Sequence, residues 1–283
     1  GITDTGTVTV AGNLVATTDA NNGVIDLGTT TVTGTMDLTT NGSGNVTIDN
    51  ATTDIVLIAS EIGGNLTLTT GNASGITDTG TVTVGGNLVA TTDANNGVIT
   101  LDQTAVTGTV ALTTNGSGNA TFDNGTLNLD LAASNVGGNL TLTSGAAAGI
   151  TDSGTVTVAG NLVATTDANN GVIDLGTTTV TGTMDLTSDG SGNVTIDNAT
   201  TDIVLIASEI GGNLTLTTGN ASGITDTGTV TVAGNLVATT DANNGVIDLG
   251  TTTVTGTMDL TTNGSGNVTI DNATTDIVLI ASE

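Results

Sequence analysis

The side chains of this chain that could take part in chemistry are carboxylates, amides and hydroxyls. Its 283 residues include 27 acidic residues and no Lys, Arg, His, Cys or Tyr. Most general acid–base and nucleophilic catalysis uses the side chains that are missing. Two carboxylates that flank one bond can hydrolyse a glycoside, but here the acidic residues recur evenly along the sequence. We therefore expect that the protein is not an enzyme and has no catalytic residues.

Calcium binding is a second chemistry that the acidic residues suggest. Residues 19–23, with the sequence DANNG, recur at 93–97, 167–171 and 241–245, and their oxygen atoms suit Ca²⁺. The segment is one residue shorter than the EF-hand spacing and has no closing Glu. Asn-Gly is also a favoured tight turn. The sequence favours a turn at Asp19 and Asn21 and leaves a calcium site there as the alternative.

The charge of the chain excludes several kinds of partner. Formal net charge is −27 and no residue is basic, whereas nucleic-acid binding and anionic membrane surfaces both require cationic side chains. The longest wholly apolar stretch, residues 55–59, is too short to span a bilayer. We expect no nucleic-acid partner and no membrane insertion.

A 74-residue passage is repeated nearly four times, in residues 1–74, 75–148, 149–222 and 223–283, the last copy being shorter. Within it, the pattern Val/Ile-x-Gly-x-Leu/Met-x-Leu/Ala-Thr-Thr begins at Val10, Val32, Ile62 and Val84, so that one long step lies between two equal shorter ones. Short alternating runs between Gly, Asn and Asp corners predict about three strands per coil. The sequence thus predicts an all-β, three-sided parallel β-helix, or β-solenoid. We expect one continuous domain over residues 1–283, with three coils per repeat and about 11–12 coils in all.

Differences between copies indicate which positions face the core. Val46 and Ile48 become Ala120 and Phe122 in the second copy, so a loss of volume accompanies a gain two residues along the same face. A close-packed interior accommodates a large residue in this way. Phe122 is therefore predicted to be a core residue. The longest coil carries extra residues around 53–61, for which we expect a lengthened strand or a ridge.

The predicted register also decides which acidic residues become neighbours. It places Asp37 between Val15 and Thr67, without a neighbouring charge. Two alignments bring acidic residues together, and they are Asp102 over Asp123 and Asp167 over Asp189. Each of these pairs is predicted either to bind a bridging cation such as Ca²⁺ or to contain a carboxyl with a raised pKa. No other cofactor is expected.

The cadence of the strands resembles a known family. The runs GGNLTLTT from Gly63 and SGNVTIDN from Ser43 are similar to the haemagglutinin-type β-strand repeats of large secreted bacterial adhesins related to filamentous haemagglutinin. The resemblance covers the whole chain. It implies a right-handed parallel β-helix and a location outside the cell or at its surface.

These observations lead us to expect a structural protein. The main expectation is an extracellular fibre or filament that forms by head-to-tail stacking of solenoid units, because regular coils provide length and stacked strands provide stiffness. One alternative is the shaft of a surface adhesin whose binding head lies outside this chain. A minor alternative is ice binding by rows of Thr-x-Thr such as residues 31–33 and 81–83.

Overall fold

The computed structural model of the protein describes residues 1–19, 21–73, 75–219, 221, 223–241, 243–273, 275–280 and 282. The chain divides into two compact units, Gly1–Leu140 and Thr141–Glu283. Each unit is built of parallel β-strands that stack as a solenoid. No α-helix occurs in the described residues. The predicted class, an all-β parallel solenoid, is confirmed, while one continuous domain over residues 1–283 stays a prediction.

The strands are short because Gly, Asn and Asp corners interrupt alternating runs of Val, Ile, Leu and Thr. The first unit contains β1 (Ile2–Thr3), β2 (Val8–Val10), β3 (Leu14–Thr18), β4 (Ile25–Leu27), β5 (Thr30–Val32), β6 (Met36–Thr40), β7 (Val46–Asp49), β8 (Ile55–Leu57), β9 (Ser60–Ile62), β10 (Leu66–Thr70), β11 (Ile76–Asp78), β12 (Val82–Val84), β13 (Leu88–Thr92), β14 (Ile99–Leu101), β15 (Thr104–Val106), β16 (Thr109–Thr114), β17 (Ala120–Asp123), β18 (Leu129–Leu131) and β19 (Ser134–Val136). The division between the units falls within β20 (Leu140–Ser144). The second unit contains β21 (Ile150–Asp152), β22 (Val156–Val158), β23 (Leu162–Thr166), β24 (Ile173–Leu175), β25 (Thr178–Val180), β26 (Met184–Ser188), β27 (Val194–Asp197), β28 (Ile203–Leu205), β29 (Ser208–Ile210), β30 (Leu214–Thr218), β31 (Ile224–Asp226), β32 (Val230–Val232), β33 (Leu236–Thr240), β34 (Ile247–Leu249), β35 (Thr252–Val254), β36 (Met258–Thr262) and β37 (Val268–Ile270).

Two parallel sheets form most of the first unit. Sheet I contains β1, β4, β7, β10, β13 and β16 in spatial order, and both β18 and β19 pair with β16. Sheet II begins with β3 and β6 and continues as the strand pairs β8 and β9, β11 and β12, and β14 and β15, with β17 beside β14. A small third sheet contains β2 and β5. A turn such as β4, β5 and β6 therefore has one strand in each sheet, which agrees with the predicted three strands per coil.

The 74-residue repeat covers three and a half turns, and the predicted three coils per repeat is wrong. Leu14 in sheet II pairs with Met36, which pairs with Leu57 one turn later. The copy of Leu14 in the second repeat is Leu88, and this residue lies in sheet I beside Leu66. A shift of one repeat thus moves a residue by a half-integer number of turns, onto the other sheet.

The error arose from residues 53–61, which do not form the predicted ridge or lengthened strand. They contain β8 and the beginning of β9, and both of these strands pair with β6, with Met36 opposite Leu57. The step along the chain from Met36 to Leu57 is nearly the same as the step from Leu66 to Leu88 in sheet I. Because a packed interior fixes the circumference of a turn, the extra residues belong to an additional half turn, in which β7 follows β6 in the other sheet.

The corrected register changes one predicted neighbour of an acidic residue. Asp37 lies beside Val15 as predicted. Thr67 lies in sheet I, between Thr47 and Val89, and is not a neighbour of Asp37.

The second unit has the same construction. Sheet III contains β21, β24, β27, β30, β33 and β36 in spatial order. The strands β22 and β25, which follow β21 and β24 in the chain, pair with each other. Sheet IV contains β23 and β26, then the strand pairs β28 and β29, β31 and β32, and β34 and β35, with β37 beside β34. Leu162 lies in sheet IV beside Met184, whereas its copy Leu236 lies in sheet III beside Leu214. The half-integer shift therefore recurs here.

Alternate side chains of most strands fill the interior. The strand β17, with Ala120 and Phe122, has both of these side chains buried, and Phe122 is 0% exposed beside Leu101 of the preceding turn. Their copies Val46 and Ile48 are also buried. The prediction that Phe122 is a core residue is confirmed.

Asparagine side chains connect the corners of successive turns. Asn45 Oδ1 accepts a hydrogen bond from the backbone N–H of Asn65 at 2.9 Å, and Asn65 Oδ1 accepts one from Asn87 at 2.9 Å. Asn87 Oδ1 continues the ladder to the N–H of Thr109 at 2.9 Å. A Cβ at Gly86 would collide with Asn65 Oδ1. The Gly-Asn sequence of the corner is therefore required by the close approach of one turn to the next.

Asn50 closes the edge of β5, where the third sheet ends. Its side chain is 0% exposed. Asn50 Oδ1 accepts a hydrogen bond from Val32 N–H at 2.7 Å, and Nδ2 donates to the carbonyl oxygens of Val32 at 3.0 Å and Asp54 at 2.7 Å. The Asn50 amide thus makes the hydrogen bonds with β5 that the peptide group of a neighbouring strand would otherwise make. Asn124, Asn198 and Asn272 bind Val106, Val180 and Val254 in the same way.

Asn50→Ala should destabilise the first unit by about 3 kcal/mol, because it leaves the buried backbone groups of Val32 and the half-buried carbonyl of Asp54 without the Asn50 partner. Hydrogen exchange at the Val32 amide should accelerate, and thermal unfolding should shift to lower temperature. Asn41→Ala is the matched control, since Asn41 is exposed and its side chain has no hydrogen bond among the described residues; its effect should stay within about 0.5 kcal/mol. Equal effects of the two variants would contradict the role of Asn50.

Candidate functional site

The polar residues that could do chemistry are concentrated at the corners of the turns. Asp4 follows β1, and its carboxylate accepts hydrogen bonds from the backbone N–H groups of Gly28 at 3.3 Å and Thr29 at 3.0 Å in the next turn. The Thr29 hydroxyl also donates to it, at 2.9 Å. This hydroxyl is the main reason why the pKa of Asp4 lies below its ordinary value of 3.8. We call this arrangement the aspartate clamp.

The clamp recurs once in each copy, and sequence reasoning missed it. Asp152 binds Gly176 and Thr177 in the third copy with N–H distances of 2.9 Å. Asp226 binds Gly250 and Thr251 in the fourth. The signal in the sequence is the Ile-Thr-Asp run at the start of every copy, but its partners lie 24 and 25 residues further along the chain. The clamps use carboxylates to join one turn to the next.

The second copy contains a modified clamp. Asp78 accepts hydrogen bonds from the backbone N–H groups of Asp102 at 3.1 Å and Gln103 at 3.0 Å, which replace the Gly-Thr corner of the other copies. Asp78 is only 7% exposed. Burial raises the pKa of Asp78 above its ordinary value of 3.8, and the neighbouring Asp102 carboxylate raises it further. The same position therefore holds a carboxyl with a lowered pKa in one copy and a raised pKa in another.

The residues predicted as cation ligands lie as follows. Leu101 pairs with Phe122, which places Asp102 next to Asp123 at one corner, as the sequence predicted. Asp123 Oδ1, however, accepts a hydrogen bond from Gly125 N–H at 2.7 Å within its own turn. The carboxyl whose pKa is raised at this corner is Asp78, which the sequence analysis did not include.

In the second unit, Asp167 and Asp189 also lie side by side, because Thr166 pairs with Ser188. Glu209 lines the same surface pocket as Asp167 and Asp189, which has a volume of about 270 Å³. No group of three or more acidic, His or Cys side chains in the described part of the chain is arranged to hold a metal ion. Binding of calcium at these pairs stays a prediction.

The DANNG segments form turns. Asn21 and Asn22 have φ values of 58° and 55°, a left-handed conformation that Asn tolerates well. Asn22 Oδ1 accepts a hydrogen bond from Ser43 N–H of the next turn at 2.9 Å. In the second copy, the side chain that corresponds to Asn21 is Asn95, whose Nδ2 donates to Gly71 O at 2.8 Å. The geometry is that of a turn whose amides join neighbouring turns, which is the interpretation that the sequence favoured.

Three carboxylates with unusual surroundings lie on strands. Asp185 in β26 has Val163 beside it, and burial raises its pKa above the ordinary value of 3.8. The Oδ1 atoms of Asp130 and Asp259 are buried and have no hydrogen-bond partner among the described residues. The copy of Asp185 in the second repeat is Ala111, so these strand positions do not require a carboxylate for folding.

The surface of the first unit also carries a groove and the Thr rows. An open groove of about 510 Å³ is lined by polar side chains that include Thr29, Asp49 and Asp93.

Thr83, from one of the rows considered for ice binding, lies between Glu61 and Ala105 in the register. The row is therefore interrupted, and ice binding stays a prediction that thermal hysteresis would test.

Replacing Asp102 and Gln103 by Gly and Thr should convert the modified clamp into the ordinary one. A raised folded-state pKa means that the ionised Asp78 opposes folding, so stability should fall as pH rises from 3.8 through the raised pKa of Asp78. The double variant should lessen this fall without abolishing it, because the burial of Asp78 remains while the Asp102 charge is removed and a Thr hydroxyl is supplied. Melting temperature as a function of pH, together with the NMR titration of the Asp78 carboxyl, measures the effect.

The unchanged Gly28-Thr29 corner provides the internal control for that experiment. Asp4 should titrate below its ordinary value of 3.8 in both proteins. An unaltered Asp78 titration in the double variant would show that the corner sequence does not determine its pKa.

In the part of the chain that the structure describes, no helix could span a membrane.

Comparison with known proteins identifies the family of these repeats. Searches of curated proteins and of solved structures found no match. A family model described as repeats of unknown function (DUF5649) matches residues 43–115, 117–175 and 191–252, which make up more than half of the chain. The tandem solenoid repeats described above therefore belong to the DUF5649 family of repeats.

Proposed function

We propose that this protein is a structural element of an extracellular or cell-surface fibre. The observation that carries the proposal is the use of its repeated polar side chains. The amide of Asn50, the carboxylate of Asp4 and the amide of Asn45 each bind backbone groups of a neighbouring turn. Side chains that could otherwise bind a ligand thus hold the turns together, and they do so again in later copies.

Charge supports the same role. The chain carries 27 acidic residues and no basic residue, so two molecules side by side repel each other. Repulsion of this kind keeps long molecules separate in solution, whereas association through backbone hydrogen bonds along the solenoid direction needs no charge complementarity. Lateral aggregation is disfavoured and longitudinal association is not.

Head-to-tail self-association would use the register that already joins turns within the chain. β3 pairs with β6 through five residues in parallel register, and among the described strands it pairs with no other. Because the copies present nearly the same strands, a turn of a second molecule can add to β3 in the way that β6 does. The alternative is a shaft within an adhesin, in which the solenoid separates a binding head from the cell surface.

Electron microscopy of the purified chain tests the proposal. Long uniform filaments would support head-to-tail association, and discrete short rods would favour the adhesin shaft. Compact or irregular particles would overturn both forms of the structural role.

A variant at the β3 edge makes this test specific. Leu14 N–H donates to Thr35 O of the next turn, so by strand alternation the N–H of Val15 points away from β6. Val15→Pro should therefore abolish filaments without disturbing the β3–β6 ladder, because Pro removes the donor that a second molecule needs. Val15→Thr keeps the donor and should leave filaments intact. Filaments that persist in Val15→Pro would exclude this edge as the contact.

A further inference from the structure

Eight Asn-Gly dipeptides occur in the chain, and the structure places them in different environments. They begin at Asn22, Asn41, Asn96, Asn115, Asn124, Asn170, Asn244 and Asn263. Asn-Gly is the sequence most prone to deamidation, because Gly places no side chain in the way of the reaction. The backbone nitrogen of Gly attacks Asn Cγ, ammonia leaves, and a succinimide ring forms. Water then opens the ring to Asp or isoaspartate.

Four of the dipeptides, the second half of each DANNG turn, have their amide side chains held. Asn22 Oδ1 and Asn96 Oδ1 accept hydrogen bonds at 2.9 Å from the backbone N–H groups of Ser43 and Ser117. Asn170 and Asn244 do the same in the second unit, at 2.9 and 2.8 Å. The attacking nitrogen is also engaged where it is described: Gly97 N–H donates to Ala94 O at 3.3 Å, and Gly171 N–H donates to Ala168 O at 3.2 Å.

Asn124 is held more firmly still. Its side chain is 0% exposed and binds Val106 through both amide atoms. The N–H of Gly125 donates to Asp123 Oδ1 at 2.7 Å. Neither the amide carbon nor the attacking nitrogen can reach the geometry of ring closure without breaking these bonds.

In the remaining three dipeptides, no described hydrogen bond holds the Asn amide or the attacking Gly nitrogen. Asn41, Asn115 and Asn263 are exposed at corners, and their side chains make no hydrogen bond among the described residues. The N–H groups of Gly42, Gly116 and Gly264 have no described partner either, and these glycines have φ values of 66°, 62° and 75°. Both reacting groups are therefore free to approach each other and are open to water.

We propose that Asn41, Asn115 and Asn263 are sites of spontaneous deamidation in the folded protein. The third copy already carries the product residue, because Asp189 stands at the corresponding position. Asp189 Oδ2 accepts a hydrogen bond from Asn170 N–H at 3.3 Å, and its backbone makes the same turn, with Gly192 N–H donating to Asp189 O at 2.9 Å. The corner therefore accommodates an aspartate without a change of fold.

Deamidation changes the electrostatics of these corners. Asn41 N–H binds Thr18 O, and Asn263 N–H binds Thr240 O, which places each Asn beside the Asp that follows that Thr, Asp19 or Asp241. Each reaction adds one negative charge and converts an Asp–Asn neighbour pair into an Asp–Asp pair, as in Asp167 and Asp189. The protein thus becomes more acidic with age at a defined set of corners. This inference is independent of the proposed structural role.

Peptide mass spectrometry after incubation at mildly alkaline pH tests the proposal on the full chain. Because Lys and Arg are absent, thermolysin or an acidic-residue protease replaces trypsin, and an isoaspartate assay identifies the product. Asn41, Asn115 and Asn263 should react about tenfold faster than Asn22, Asn96, Asn170 and Asn244, since each held amide must first lose a hydrogen bond. Asn124 should be the slowest site.

The same chain in denaturant is the control, because there all eight dipeptides are unrestrained and their rates should converge. Asn41→Gln should lose the product at residue 41 alone, with Asn115 and Asn263 unchanged. Equal rates at held and free sites in the folded chain would overturn the proposal. So would the absence of product at Asn41 in the folded chain while the denatured chain reacts.

Discussion

The parallel backbone ladder between successive turns is the interaction on which the rest of this structure depends. Each turn must bring its strands into register with the turn before it, over an interior that has a constant cross-section of packed Val, Ile and Leu side chains. The chain therefore closes every turn of the first unit over nearly the same length, whatever the period of its sequence. The 74-residue repeat is not a whole number of such turns. The result is that Leu14 and its copy Leu88 lie in different sheets, and that both sheets of a unit carry the same kinds of strand.

The ladder also explains why so many polar residues are used for structure. A solenoid corner exposes backbone N–H and C=O groups that no strand can pair, and buried groups of this kind must find partners. Asn50 supplies a side-chain amide where a strand is missing, and Asp4 supplies a carboxylate where two consecutive N–H groups point the same way. Since the chain has no cationic side chain, backbone N–H groups, Thr hydroxyls and Asn amides such as that of Asn72 are the donors available to its carboxylates. Asp78 shows the limit of that arrangement, because it is buried at a corner that offers a second carboxylate in place of the Thr hydroxyl, and both conditions raise its pKa.

The stacking of turns in this chain explains how its copies can differ from one another. Turns contact only their neighbours, so copies can be added or varied while the ladder continues. The second copy varies most, with Ala111 in place of an aspartate and Phe122 in place of Ile48, and the fold absorbs both. Variation at the surface is equally tolerated, as the exchange of Asn41 for Asp189 at one corner shows. Such tolerance suits a protein whose role depends on continuity of the backbone more than on any single side chain.

Local features of this protein follow from its amino-acid sequence alone. Alternation of apolar and polar residues determines the strands and which side chains face inward, including Phe122, and Asn-Gly pairs determine turns such as the one at Asn21 and Asn22. Neighbours across turns were decided by the tertiary structure, because they depend on how much of the chain closes one circuit around the core. That is why the register of Asp37 with Val15 could be predicted and its register with Thr67 could not. The same reason explains why the sequence did not predict the aspartate clamp or the hydrogen bonds of Asn50. Each of them joins residues about one turn apart, and no local sequence pattern indicates that these residues are partners.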